Sequence, residues 1–450
     1  MNLFKKMPIP HRVYKMNRSL TGVTCVISIL ALSGCGSNKW FDIDKEPIKG
    51  ERISVLDQTT ITRVKSAGPV NLSLAKSNTS WAQAGGNAAH AMGHLALSSK
   101  PEKAWKRDIG SDASTYLPII TGPVAADGVV YAMDTQGDIS AIKLADGKKI
   151  WSASLHGKSG GEDTVGGGLA YEGGFIYATS PYAKLICLNA KTGEEVWRKN
   201  LYSPARVSPT VHDGRVFVLT ISNELQVFSA QDGEMIWTHS GIVENAEVLG
   251  GASPAVKDGV AIVAYSSGEI FALKAENGQE LWSEGLVPHF HTDSISALAH
   301  IRARPVIADN TVYAISQSGK ATAINLSSGE QIWQKSIGGL HTPAIDANYL
   351  FMITSDDELA CLNRKTGEAI WIQPIGPHVK PKDEVILWSG PVLAGEHIVV
   401  TGSNGDILFF SPDGELTHTL QDKAGIPVSP IVIDASLITI NHRAELTVYR

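Results

Sequence analysis

The stretch "PVAADGVVYAMDTQGDISAIKLADGKKIW", residues 123–151, holds four short apolar runs divided by turn residues. Asp127-Gly128, Gly137 and Asp146-Gly147 fall between "PVAA", "VVYAM", "ISAIKL" and "KIW". β-Branched and aromatic runs separated by Asp-Gly turns predict an antiparallel meander of four strands. The stretch closes on Gly147-x-x-x-Trp151, and the same spacing returns at Gly193/Trp197, Gly233/Trp237, Gly278/Trp282, Gly329/Trp333 and Gly367/Trp371. Successive tryptophans stand 46, 40, 45, 51 and 38 residues apart, a period that marks propeller blades.

A single four-stranded blade cannot bury both of its faces, so the repeats must pack around a ring. A tryptophan at a fixed place in each repeat is then core between blades, because an indole buries a large area there. Opening strands at Pro123, Gly168, Pro209, Pro254, Pro305, Pro343, Pro391 and Pro430 count eight units. The seventh has His418 where tryptophan is expected, and the eighth stops at Arg450 after three strands. "EKAWKRDI", around Trp105, reads as a tryptophan strand without a blade of its own. The expectation is all-β: an eight-bladed β-propeller of four-stranded antiparallel blades over residues 81–450, the last blade closed by the N-terminal strand. Closure of that kind removes an exposed sheet edge. Cys187 and Cys361 occupy equivalent places in blades two and six, too far apart for a disulfide, and are expected as free buried thiols.

Upstream, the apolar run Leu20 to Leu32 is thirteen residues long, short of the roughly 20 that span a bilayer. With Arg18 before it, the run has the proportions of a signal-peptide core, which Met16 would begin more typically than Met1. Leu32-Ser33-Gly34-Cys35 matches the bacterial lipobox, so residues 1–34 are expected to be removed and Cys35 to carry a diacylglyceryl group. Gly36 is not the aspartate that favours inner-membrane retention, which directs the anchor to the outer membrane. Residues 35–80 mix Pro, Ser, Lys and Asp without the repeat and read as a flexible tether. The segment 1–34 holds five basic residues and no acid, leaving 34 basic against 45 acidic residues, a net charge of −11. Such a chain repels polyphosphate and is a poor candidate for nucleic acid.

Chemistry-bearing motifs are sparse. His90/His94 in "HAMGH" has i, i+4 spacing but lacks the glutamate of a zinc protease, and His289/His291 with Asp293 sits in a loop. A metal site needs three or four convergent ligands, so both pairs are expected at the surface or in capping roles, with no metal. Glu162-Asp163 and Asp356-Asp357 fall in loops or turns and are expected to be solvated. No nucleophile elbow, phosphate loop or Cys-x-x-Cys is present, so no catalytic residue and no cofactor is nominated.

"CLNAKTGEEVW" and "AINLSSGEQIW" resemble the tryptophan-docking repeat of propellers related to the pyrroloquinoline quinone dehydrogenases, and "WAQAGGNAAH" resembles their lead-in segment. The resemblance covers roughly residues 81–450 and implies the fold, whereas the vicinal cysteines of the quinone enzymes are missing. Together with the lipobox it is closer to the BamB family of propeller lipoproteins in the β-barrel assembly machinery. That implies a non-enzymatic scaffold that binds the periplasmic domains of BamA and aids insertion of outer-membrane proteins. In this family the partner surface lies on loops joining successive blades, here "NAEVLGGASP" (245–254) and "SISALAHIRARP" (294–305). The expected contacts are Val248 and Leu249 as apolar anchors with His300 and Arg302 as polar ones. Leu249 replaces an arginine, and His300 and Arg302 replace aspartates, of better-known members. A PQQ-dependent dehydrogenase and a propeller that binds an envelope polymer are the alternatives.

Overall fold

The computed structural model describes residues 68–114, 117–155, 165–243, 250–286, 300–376 and 385–450. Among them, eight antiparallel sheets follow one another around a ring. Blade one runs Val124–Ala126, Val129–Met133, Asp138–Lys143 and Lys149–Ser154 from the inside outward, as the turns predict. Register is plain across it: Val124 faces Tyr131, Tyr131 faces Ala141, and Ala141 faces Trp151. The middle two strands are buried almost throughout, as in Val129–Met133 where all but Val129 are buried, because each blade is covered on both faces by its neighbours. Outer strands are mostly exposed.

Every outer pair carries the same irregularity. In blade one Trp151 faces Ala141 but Lys149 faces Ile142, so Ile150 is skipped. Shifts at the corresponding place occur in all seven other blades. A bulge of this kind re-aims a side chain. Here it leaves Ile150, Val196 and Ile236 exposed and turns the adjacent tryptophan onto the next blade. Trp151 Nε1 donates to the Ala190 carbonyl at 2.9 Å, and its ring lies where a Cβ on Gly193 would come within 2.6 Å. The glycine of each Gly-x-x-x-Trp therefore receives the tryptophan of the preceding blade. Its φ of +76° at Gly193 suits the tight turn as well.

The eighth blade has the order Ile431–Ile433, Ser436–Ile440, Glu445–Tyr449 and finally Lys103–Asp108. Glu102 and Arg450 exchange backbone hydrogen bonds at 2.7 and 2.9 Å, joining the N-terminal strand to the chain end. Among the described residues, no outer-strand tryptophan of blade seven fills the seam to blade eight. His418 instead lies against Phe409, with ring centroids 5.4 Å apart, and polar groups bridge the seam. Asp422 accepts from the Asn441 amide at 3.0 Å and pairs with Lys106 at 3.2 Å.

Residues ahead of blade one cross the ring instead of leaving it. Ser80–Trp81 adds a fifth, innermost strand to blade one. Ala82, Gln83, Ala88 and Ala89 then bond the inner strands of blades two, three, four and five in turn. Leu95 exchanges backbone bonds with Leu393 and Gly395 of blade seven. Residues 68–80, assigned to the tether by composition, belong to this frame: Val70 is buried and its N–H donates to Asp413 at 2.8 Å. Ser73 donates to Asp346 of blade six, and the Asn78 amide donates to Val432 of blade eight at 2.7 Å. Signal peptide, lipobox and residues 35–67 lie outside the described residues. Cys187 and Cys361 are free and buried, and burial pushes both thiols well above their ordinary pKa.

Candidate interface and central cavity

Strand direction alternates along each blade, so the connection from one outer strand to the next inner strand always emerges on the same face. The two-residue turns after the inner strands, Asp127-Gly128, Asp213-Gly214 and Asp258-Gly259 among them, open on the other face. The lead-in segment bonds to the inner strands within the ring, at Tyr171, Val211, Val256 and Ile307, and so lies on the turn side of the strand starts. Gly85 and Gly86 let it double back tightly: a Cβ on either would strike His90 (2.8 Å) or Met92 (2.2 Å). What is left is a central cavity of about 140 Å³. Trp81, Gly85, His90 and Met92 contribute from the lead-in, and the starts of the inner strands form the wall.

The two histidines of "HAMGH" do not converge. His90 Nδ1 donates to the Pro305 carbonyl at 2.8 Å, in blade five. His94 Nδ1 donates to the Ser73 carbonyl, and its Nε2 accepts from the Glu396 N–H at 3.0 Å, in blade seven. Both rings are buried ties between the lead-in and the ring, not surface or helix-capping groups. Asp356-Asp357 sits in a turn, and burial beside Asp356 raises the Asp357 pKa. His289, His291, Asp293, Glu162 and Asp163 lie outside the described residues.

The loop residues divide the same way. Val248 and Leu249 lie outside the described residues. His300 is only 3% exposed, and burial with the Arg302 charge lowers its pKa to about 4, so it is not the exposed polar anchor expected of a loop tip. Arg302 is half-buried and lines the central cavity. Residues 300–304 lead directly into the inner strand of blade five and pack against the ring, with His300, Ile301 and Ala303 buried, so they do not form a loop tip. What does stand out on the linker side is Ile242 and Val243, 60% and 67% exposed, immediately before residue 244. Arg206, Arg304 and His341 also line the cavity, a grouping the repeat pattern gave no reason to single out. Their one sequence signal is position, each just ahead of an inner strand.

The family model described as "Outer membrane protein assembly factor BamB" matches residues 135–373, more than half of the chain. The chain belongs to the BamB family. The BamB of Yersinia pestis is 28% identical over 252 residues, covering 55% of this chain and 64% of that relative, so the match spans less than two thirds of the curated protein. The crystal structure of BamB from Moraxella catarrhalis superposes with a TM-score of 0.68 at 19% identity, over 78% of this chain and all of that one. The quinohemoprotein alcohol dehydrogenase of Comamonas testosteroni gives a TM-score of 0.63 at 15% identity, over 82% of this chain and 80% of that one. At these identities both structures speak to fold alone. A quinone cofactor does not fit the residues here. The described cavity lining has no carboxylate to hold a divalent cation, and the chain has no adjacent cysteines.

Proposed function

We propose that this chain is a lipid-anchored scaffold at the periplasmic face of the outer membrane, where it binds BamA and aids assembly of outer-membrane proteins. The observation that carries the reading is membership of the BamB family, whose members are outer-membrane assembly factors by name. The lipobox at Cys35 supplies the anchor, and the rigid ring supplies the platform.

Docking falls on the linker face at blades three to five. Two successive connections there are long, from Trp237 to Pro254 and from Trp282 to Pro305, and loops on a rigid scaffold are where binding concentrates. Ile242 and Val243 lead into the first of them, and Val248 and Leu249 continue the apolar character. Apolar side chains rimmed by polar ones are the usual core of an interface.

The deciding experiment is affinity purification of the tagged full chain from detergent-solubilised envelope. Recovery of BamA with the wild type, and its loss for Ile242→Asp combined with Leu249→Asp, is the expected result. Recovery of cell-wall polymer with no assembly component would replace this reading with the envelope-polymer alternative. Mass spectrometry of the purified chain should find Cys35 as an acylated N-terminus.

A further inference from the structure

The central cavity is cationic without an anion of its own. Arg206, Arg302, Arg304, His90 and His341 line it, and no aspartate or glutamate does among the described residues. Acids outnumber bases in the chain as a whole, 45 to 39, so the surplus of positive charge in this one cavity runs against the composition. Burying a guanidinium is unfavourable unless it is paired, and proteins rarely leave several together unpaired.

These groups are also built into place. Arg302 and Arg304 stand two residues apart in the segment that leads into the inner strand of blade five, and Arg304 Nη1 donates to Thr342 Oγ1 at 3.1 Å. Its Nε is buried and has no hydrogen-bond partner among the described residues. Arg302 lies across Gly250, where a Cβ would come within 3.0 Å of its Nε, so a glycine makes the room it occupies. On the cavity floor, His90 is 4% exposed, and its Nε2 is a second buried polar atom without a hydrogen-bond partner among the described residues. Because His90 Nδ1 donates to the Pro305 carbonyl, the neutral ring presents Nε2 as an acceptor. The imidazole is held neutral: burial first, then the Arg304 charge, lowers its pKa to about 3. Arg304, lowered only to about 10 by burial and by Arg302, keeps its charge.

We propose that this cavity binds a carboxylate that carries a hydrogen-bond donor beside it. The arginines offer fork-shaped donors that match a carboxylate, and His90 Nε2 accepts the neighbouring hydroxyl or N–H. Two sources present that chemistry: a small 2-hydroxy acid, or the C-terminal residue of a peptide with its own amide N–H. The lead-in crosses the ring on the turn side of the cavity, so the entry considered for a ligand is the linker face, the side on which a protein partner is proposed to dock. The site does not depend on that docking.

The test is calorimetric titration of the full chain in detergent, at constant ionic strength balanced with chloride. Malate is one probe; N-acetyl-Ala-Ala and its C-terminal amide are the others, with inorganic phosphate as the competing anion. Saturable binding of malate or of the free peptide acid, weakened at least tenfold in Arg302→Met, is expected. Binding of malate alone assigns the site to a small acid, and binding of the peptide acid alone assigns it to a chain end. Arg304→Lys keeps the charge and loses the fork, and should also weaken binding; Lys191→Met, at an exposed turn, should not. The proposal is overturned by no saturable binding, by binding that Arg302→Met leaves unchanged, by amide binding equal to acid, or by phosphate binding as tightly as the carboxylates. Carboxylate binding that survives loss of BamA recovery, or the reverse, separates this site from the scaffold role.

Discussion

Trp105 Nε1 donates to the Leu144 carbonyl at 3.0 Å, and the Trp105 ring lies against Gly147. The N-terminal strand thus performs for blade one what Trp151 performs for blade two. It belongs to blade eight by hydrogen bonding and to the blade-one seam by packing. One indole closes the ring.

Removal of that indole is therefore expected to cost more than an ordinary surface change. Trp105→Ala should destabilise by about 3 kcal/mol, in the range of large core truncations. A chain starting at residue 68 should melt with the full chain, whereas one starting at residue 111 should lose cooperative melting and expose Glu445–Tyr449 to protease. Equal melting temperatures for the two truncations would show that closure does not need the strand.

The glycine that receives a tryptophan should be far less replaceable than a glycine that merely turns. Gly193 and Gly128 have nearly the same φ, +76° and +73°. A Cβ on Gly193 would sit 2.6 Å from the Trp151 ring, and one on Gly128 meets nothing within 4 Å. Gly128→Ala is expected to cost about 1 kcal/mol of backbone strain. Gly193→Ala should cost clearly more, because the indole must move as well. Similar losses in chemical denaturation would mean the seam tolerates displacement.

Acid should loosen the ring first at the seam without an indole. Burial alone would raise the Asp422 carboxyl, but the Ala424 N–H, the Asn441 amide and Lys106 outweigh it and hold it below 3.8. Hydrogen bonds from Asn441 and Lys106 likewise hold Glu445 below 4.5. A carboxylate with a lowered folded pKa stabilises above its unfolded pKa, and that contribution fades as pH falls through the folded value. Stability should therefore drop from about pH 4.5 downward, and Asp422→Asn should flatten this slope while lowering stability at neutral pH. Thermal melts from pH 7 to 2.5 would show it; an unchanged acid slope in the variant would place the acid-sensitive groups elsewhere.

Surface replacements at the proposed docking face should separate binding from folding. Ile242→Asp and Val243→Asp alter side chains already more than half in water, so the melting temperature should change little. Loss of BamA co-purification at unchanged stability supports the face. Retained co-purification moves the interface off blades three to five.

What could be read in the one-dimensional chain was whatever repeats. Period, turn residues and a fixed tryptophan are local properties, and they specify blade number, strand order and the need for an added strand at Trp105 without reference to distance. Even the absent eighth indole was legible, as His418 in a place where six repeats have tryptophan. Direction was not. The sequence of "AHIRARP" is equally compatible with a loop tip and with a strand lead-in, and only packing against Gly250 and Thr342 turns Arg302 and Arg304 toward the ring axis. The path of residues 71–95 was hidden for the same reason. Its bonds to eight blades join positions as far apart as Asn78 and Asp434, and nothing local in "WAQAGGNAAHAMGH" encodes such partners. Local pattern determined how each blade is built; which groups meet at the centre follows only from eight blades closing around it.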